Sequence, residues 1–270
     1  MRIDLHNHTI HSDGVLNEEE LILRAKKNNV DVFALTDHDS VFGCKRILEL
    51  SKKYDIKVIL GMELSTLYKG EQVHIVCLFK NNNIPDKMLQ FSIENKQKRI
   101  NRAIKMMNNI HDIYGLYINL DEFINSSEII TRANMMRHIA KYNNMTLKEA
   151  KKYIMPDSKA FIPSSKITVE EGLKIAKESD AITIFAHPCL IKNQDYVEEI
   201  LSLGFDGIEV RYPKYENMEE KYKKLADKYH LFYSAGSDCH GDETHSDIGT
   251  CTLNEDEFMP IAKLLNFKFD

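Results

Sequence analysis

The sequence predicts an α/β fold, a largely parallel sheet or barrel carrying a helical insertion, and three observations lead there. Short continuous apolar runs recur in both outer parts of the chain, as strands covered on two faces require. Amphipathic helical patterns lie between them, which is the alternation of a parallel sheet. Between about residues 85 and 162 that rhythm gives way to helical patterns alone.

Seven strands are expected, at 2–6, 30–36, 57–63, 72–79, 181–186, 206–210 and 231–237. Asn17 opens the first helix, NEEELILRAKK, with Glu20 placed to complete a capping box. Thr168 and Glu171 repeat that pattern before LKIAK, and 216–229 reads as a helix with a charged outer face. In the central break, 93–110 sets Ile100, Ala103, Ile104, Met107 and Ile110 at helical spacing, and shorter helices follow at 134–142 and 146–153. Residues 1–84 and 163–270 are therefore expected to form the barrel, with 85–162 a helical insertion beside its mouth. The basic run from Lys96 to Lys105 reads as a solvated helix face.

At 270 residues and 43% hydrophobic, the chain has enough apolar material for a large core. A net charge of −5 and a pI near 6.1 argue against duplex DNA or a membrane surface as partner. A small phosphorylated substrate stays compatible, because bound metal ions reverse the local sign of the field. No apolar run approaches the roughly 18 residues that span a bilayer. The first residues read as strand and not as a signal peptide. Five irregularly spaced cysteines fit a reducing compartment, so a cytoplasmic protein is expected. Cys189 and Cys239 lie beside ligand motifs but read as small buried hydrophobes.

Nine potential metal ligands form one ordered set: His6 and His8 in DLHNHT, Asp13 in HSDG, His38 in TDHD, Glu63 in GMELS, His74 in VHIV, His187 in FAHP, and Asp238 with His240 in SDCH. Mixed imidazoles and carboxylates suit divalent zinc, manganese or iron. Nine are too many for one tetrahedral ion and enough for two or three. Most stand at the C-terminal ends of expected strands, where parallel α/β folds build their sites. His74 is the exception, lying inside its strand, and must point inward. The His6-x-His8 pair on extended backbone projects both rings to one face. Such a cluster activates water for attack on a phosphate ester.

These motifs, in this order, resemble the polymerase and histidinol phosphatase (PHP) superfamily over essentially the whole chain. The opening DLHNHTIHSDG, the TDHD block and the insertion are similar to its stand-alone metal-dependent phosphoesterases. Relatives in that branch include 3′,5′-nucleoside bisphosphate phosphatases, which also trim RNA 5′ ends. The resemblance implies a distorted seven-stranded (β/α) barrel with a trinuclear metal site, commonly of manganese, iron or zinc. It also implies hydrolysis of phosphate monoesters of small molecules, with nucleoside bisphosphates or RNA ends as the leading class. The second reading is a phosphatase or cyclic phosphodiesterase for another metabolite, such as a sugar phosphate or histidinol phosphate. A non-catalytic metal-binding module is the third.

In that branch an Arg-x-His pair of the insertion usually contacts the substrate phosphate. Here ITRANMMRH keeps Arg132 but has Asn134 at the histidine position, and Cys189 to Lys192 follow AHP where an arginine often stands. Both departures fall on residues that read substrate. Glu63 and Asp238 are the expected metal bridges, since a carboxylate spans two ions and an imidazole does not. Arg132 is expected to clamp the phosphate, with Asn134 and Arg211 also facing substrate. Asp37 and Asp39 are expected to orient ligands from behind. Glu209, Arg211 and Tyr212 follow the sixth strand toward the rim, and His11 or His245 is the candidate proton carrier.

Overall fold

The computed structural model describes residues 1–126, 130–163 and 166–269, so 127–129 of the expected insertion lie outside the described residues. The strands are β1 (Ile3–Asp4), β2 (Val32–Leu35), β3 (Lys57–Tyr68), β4 (Glu71–Leu78), β5 (Ile167–Thr168), β6 (Ile182–Phe185), β7 (Gly207–Arg211) and β8 (Phe232–Ala235). The helices are α1 (Glu18–Lys27), α2 (Cys44–Tyr54), α3 (Asp86–Tyr114), α4 (Leu120–Ile124), α5 (Arg132–Tyr142), α6 (Leu147–Lys151), α7 (Val169–Glu178), α8 (Tyr196–Leu201), α9 (Glu219–Tyr229) and α10 (Glu255–Leu265). Every expected strand is present, and β5 is an added two-residue strand against β3. The caps form as expected: Asn17 closes its box with Glu20 on α1, and Thr168 with Glu171 on α7.

The sheet runs β1-β2-β3-β4-β6-β7-β8 and bends into a nearly closed barrel. Closure comes from loop backbone: the Leu5 N–H donates to Ala235 O at 3.0 Å, and the His8 N–H to Cys239 O at 2.9 Å.

One expectation needs correction. β4 runs antiparallel to both β3 and β6, so the sheet is mixed. The cause is local. Lys69 and Gly70 adopt φ of +46° and +86° and turn the chain in two residues, pairing Tyr68 with Glu71. A hairpin of this kind needs left-handed backbone, which glycine adopts without cost to a side chain. The reversal also explains His74. Because β4 starts where the parallel strands end, a residue near its beginning already sits at the rim.

Three apolar layers follow. Inside the barrel, Leu5, Val32, Ala34, Ile59, Val76 and Ile184 pack together, and Phe258, Ile261 and Leu265 of α10 join them. Outside it, Leu21, Ile22, Ile47, Leu173, Ile200 and Ala226 bring α1, α2, α7, α8 and α9 onto the opposite strand faces. A third cluster, Ala103, Met106, Met107, Ile110, Phe123 and Ile139 among others, lies within α3 to α6.

Gly236, just beyond β8, is where the barrel seam is tightest. A Cβ there would lie 2.2 Å from His6 Cβ and 3.0 Å from Glu209 Oε1. Overpacking at such a point costs roughly 1–3 kcal/mol. Gly236→Ala is therefore expected to lower the thermal midpoint by roughly 5 °C, and an unchanged midpoint in a calorimetric scan would mean that the seam gives way freely.

Candidate metal centre

The side chains of all nine expected ligands meet at the C-terminal rim of the barrel, with Glu63 at their centre. Along β3 alternate residues face inward, so Ile59, Gly61 and Glu63 share the barrel interior and Glu63 is fully buried. Its Oε2 lies 2.9 Å from His38 Nδ1, 3.2 Å from His6 Nε2 and 3.3 Å from His8 Nε2. Its Oε1 lies 2.9 Å from both His74 Nδ1 and His187 Nε2. Asp238 Oδ1 stands 3.0 Å from His8 Nε2 and 3.5 Å from His6 Nε2. Asp13 Oδ1 is 3.1 Å from His240 Nε2.

Eight of the nine donors fall into three overlapping groups whose ligand atoms lie within 4.8 Å of one another: His8, Asp13, His38 and His240; His6, His8, Glu63 and Asp238; His38, Glu63 and His74; His187 is in none of them and meets the cluster through Glu63. Glu63, His8 and His38 are each shared by two groups. No cysteine enters them. Cys239 is buried and Cys189 half-buried, and neither belongs to these sets.

The ligand atoms fit divalent cations. His6 Nε2, His8 Nε2, Asp13 Oδ1, His38 Nδ1, Glu63 Oε2 and His74 Nε2 are buried without an aligned hydrogen-bond partner. His6 Nε2, His8 Nε2 and His38 Nδ1 each lie within 3.3 Å of Glu63 Oε2 without an aligned hydrogen bond. Buried polar atoms left this way cost free energy, and a cation at the focus relieves several at once.

The electrostatics agree. Burial pushes the Glu63 carboxyl up, but His38, His6 and His74 and the His187 contact outweigh it and hold it well below the usual carboxylate range. Asp238 behaves alike, with burial overcome by His6, His8 and His240. Burial alone would lower His240, yet Asp13 and Asp238 raise it to about 9. Burial dominates at His74 and takes it down to about 4 despite Glu63. The carboxylates are thus held ionised beside imidazoles of which His6, His38 and His240 are pushed toward their protonated form, and a metal ion bound here would take those protons' place.

Behind the ligands stands a supporting layer. The Glu209 carboxylate reaches His6 Nδ1 at 2.8 Å through Oε1 and accepts the His187 N–H at 2.5 Å through Oε2. The Tyr212 hydroxyl donates to Asp238 Oδ2 at 2.7 Å. Asp37 accepts from the Thr9 N–H at 2.7 Å and the Ser12 hydroxyl at 2.6 Å, bracing the loop between His8 and Asp13. His187 and Asp238 both take left-handed backbone, φ +31° and +50°, the kind of strain that functional sites retain.

Two expected substrate residues do not face the cluster. Arg211 is held by Glu219, by Glu257 and by the carbonyl of Thr252. A bulge between Glu209 and Arg211 breaks the two-residue alternation that would have put both on one face. Asn134 is spent on a cap: its Oδ1 accepts the Thr131 N–H at 2.9 Å at the start of α5. Asp39 also departs from expectation, accepting from the Ser65 N–H at 2.8 Å and pairing with Arg99.

Arg132 does line a cleft of about 470 Å³ that opens over Asp13, His38 and His74. Arg99, Arg102 and Lys166 line it too, which corrects the reading of the 96–105 run as a solvated face. The i, i+3 spacing of Arg99 and Arg102 turns both inward, a signal present in the sequence but masked by the lysines around it. On another side of the cluster, His245 stacks on His240 at 3.9 Å and contacts Asp242 at 2.9 Å. His11 is paired with Glu18 at 3.0 Å.

Comparison with known proteins adds three findings. Residues 4–236 match the PHP domain. A 5′-3′ exoribonuclease of Haemophilus influenzae is 26% identical over 249 residues, spanning 88% of this chain and 90% of that protein. A 3′,5′-nucleoside bisphosphate phosphatase of Chromobacterium violaceum is 27% identical over 275 residues, spanning 97% and 94%. Among solved structures, a protein of Bifidobacterium adolescentis proposed to be a metal-dependent phosphoesterase superposes with a TM-score of 0.84 at 20% identity, covering 97% of this chain and 96% of that one. No helix among the described residues is long and apolar enough to cross a membrane.

Metal removal tests the centre directly. Chelator-treated protein is expected to gain roughly 5–10 °C in thermal midpoint on adding manganese or zinc at about a hundredfold excess over Kd. Glu63→Gln should lose most of that gain. A midpoint indifferent to either ion would remove the metal assignment.

Proposed function

This chain belongs to the PHP domain family, and we propose from that premise that it is a metal-dependent phosphoesterase cleaving phosphate monoesters of small molecules, nucleotides first. The observation that carries this reading is the joint presence of an ionised carboxylate ringed by five imidazoles and a cationic cleft opening beside it. One half supplies charge for activating water; the other suits an anionic substrate.

In this reading His6, His8, Asp13, His38, Glu63, His74, His187, Asp238 and His240 hold two or three ions. Manganese, iron or zinc matches a donor set of nitrogen and oxygen without sulfur. When bound, such ions lower the pKa of water and polarise the phosphoryl group. Glu63 and Asp238 would help to hold these ions through their carboxylates, and Glu63 presents its two oxygens to two different sets of imidazoles. Tyr212 and Glu209 fix the angle at which Asp238, His6 and His187 offer their lone pairs.

Arg132 clamps the reacting phosphate. It stands in the first turn of α5, where the helix N-terminus adds to its charge. His245, steadied by Asp242 beside His240, is the better placed of the two spare histidines to return a proton to the leaving oxygen. His11 is committed to Glu18. The names of the two relatives favour nucleotides or RNA ends as substrates. Residues 1–84 and 163–270 serve as the catalytic barrel and 85–162 as the substrate-facing insertion.

The test is phosphate release from a panel of nucleoside bisphosphates, short RNA, cyclic phosphates, sugar phosphates and histidinol phosphate after manganese reconstitution. Asp13→Asn and His187→Ala are expected to abolish release while far-UV circular dichroism stays native. Arg132→Ala should lower kcat/KM by roughly 10- to 100-fold, the worth of one charge-assisted contact. Full turnover by a metal-depleted Asp238→Ala protein would rule the mechanism out.

A further inference from the structure

The three donor groups at the rim are not braced alike. In the set of His6, His8, Glu63 and Asp238 every member is buried, with Glu209 behind His6 and Tyr212 behind Asp238. The set of His38, Glu63 and His74 has one donor fewer, and both of its imidazoles are only half-buried where they line the cleft. Among the described residues no side chain outside the nine ligands bonds either ring: each reaches Glu63 at 2.9 Å, and their centres lie 4.8 Å apart. Affinity for an ion at such a set depends on how well its few donors are aimed, and the groups behind the ligands set that aim.

Here backbone does the aiming. His38 sits in a rung added beside β3: the Glu63 N–H donates to Asp37 O at 3.2 Å, and the Asp39 N–H donates to Glu63 O at 2.9 Å. Asp39 then turns the chain at φ +53°, a conformation that persists only where the surroundings hold it. His74 stands directly across the β3–β4 pair from Ser65. The buried Asp39 carboxylate links the two places, for one oxygen accepts the Ser65 N–H at 2.8 Å and the other pairs with Arg99. Arg99 also donates to Ser65 Oγ at 3.3 Å. One guanidinium thus closes a bracket on the residue after His38 and the residue opposite His74. Arg99 belongs to α3, whose Ala103, about one turn on, is buried in the apolar cluster of α3 to α6. The bracket is anchored outside the barrel strands.

We infer that Arg99 is a positioning residue for His38, Glu63 and His74, acting through Asp39 and Ser65, so that the helical insertion sets how tightly this group holds a divalent cation. This rests on the metal-dependent reading above and gives α3 control of one ion position. Charge and positioning predict opposite signs here. Arg99 is a cation beside a cation site, so by Coulomb repulsion alone its removal tightens ion binding. Removal of a bracket weakens it.

The experiment is titration of chelator-treated protein with cobalt(II) alone, without substrate, followed by calorimetry and by the visible absorption of the bound ion. Arg99→Ala is expected to weaken the last uptake step by about 10- to 100-fold and to change its visible spectrum, with the tighter steps close to wild type. Arg99→Ala combined with Asp39→Asn strands no buried carboxylate and restores local neutrality. It should show the same loss, where charge alone predicts wild-type affinity. Arg99→Lys should recover most of the loss. Lys105→Ala, the same change of charge at an exposed position of α3, should bind as wild type does. A last step unchanged or tightened in Arg99→Ala and in the double variant, with native circular dichroism, would overturn the bracket. So would a loss spread equally over every step, or an equal loss in Lys105→Ala. Wild type that takes up no cobalt would defeat the metal reading and this inference together. The expected uptake steps without phosphate release from any ester would defeat the phosphoesterase reading alone.

Discussion

The structure depends on keeping one carboxylate, Glu63, ionised at the centre of a barrel and out of reach of solvent. Moving an isolated carboxylate from water into such a place costs several kcal/mol unless charge and hydrogen bonds meet it there. No arginine or lysine does so among the described residues. The compensation comes from imidazoles delivered by four separate stretches of chain: the loop after β1, the loop after β2, the start of β4, and the loop after β6. Each must arrive within a few tenths of an ångström. That requirement explains the closeness of Gly236 to His6, the left-handed backbone at His187 and Asp238, and the reversed direction of β4, which brings His74 to the rim.

Carboxylates behind the cluster do a different job from those inside it. Asp4 is fully buried, accepts the Ser237 and Gly249 N–H groups and the Ser237 hydroxyl, and ties the loop after β8 to β1. Asp37 grips Thr9 and Ser12. These acids face backbone donors, so their bonds are satisfied within the protein. Glu63 and Asp13 face imidazole nitrogens and each keep an unsatisfied oxygen. A polar group with a partner braces the fold, and a polar group without one awaits a ligand.

Much of this was legible in the sequence, for physical reasons that also mark where reading stops. The strand ends were readable because buried parallel strands are continuous apolar runs, and the ligands follow them in HNH, TDHD, MEL, AHP and SDCH. The inward turn of His74 was demanded by the pattern but explained only by the Lys69–Gly70 hairpin, a two-residue signal lying between two strands. Arg211 misled because period-two alternation fails at a bulge, and a bulge leaves no sequence mark here. Asn134 misled because a capping side chain and a substrate side chain look alike until the helix start is fixed at Arg132. Arg99 and Arg102 were hidden in a run that also holds the exposed Lys98 and Lys105. Composition averages over a helix, whereas function uses one face of it.

Charge separates the labour of the two parts of the chain. The protein is acidic overall, at −5, yet the cleft over the ligands is walled by cations. All nine expected ligands come from the barrel stretches, while Arg99, Arg102 and Arg132 come from α3 and α5, with Lys166 just before β5. The barrel stretches therefore supply the clustered carboxylates and imidazoles, and three of the four Arg and Lys residues lining the cleft stand on α3 and α5. Because α3 to α6 pack around their own apolar cluster, side chains on their cleft face can change without disturbing the packing around Glu63. Arg99 joins the two parts, reaching from α3 to Asp39, one residue from His38. That pairing neutralises one of the cations lining the cleft, whereas Arg102 and Lys166 pair with no carboxylate among the described residues.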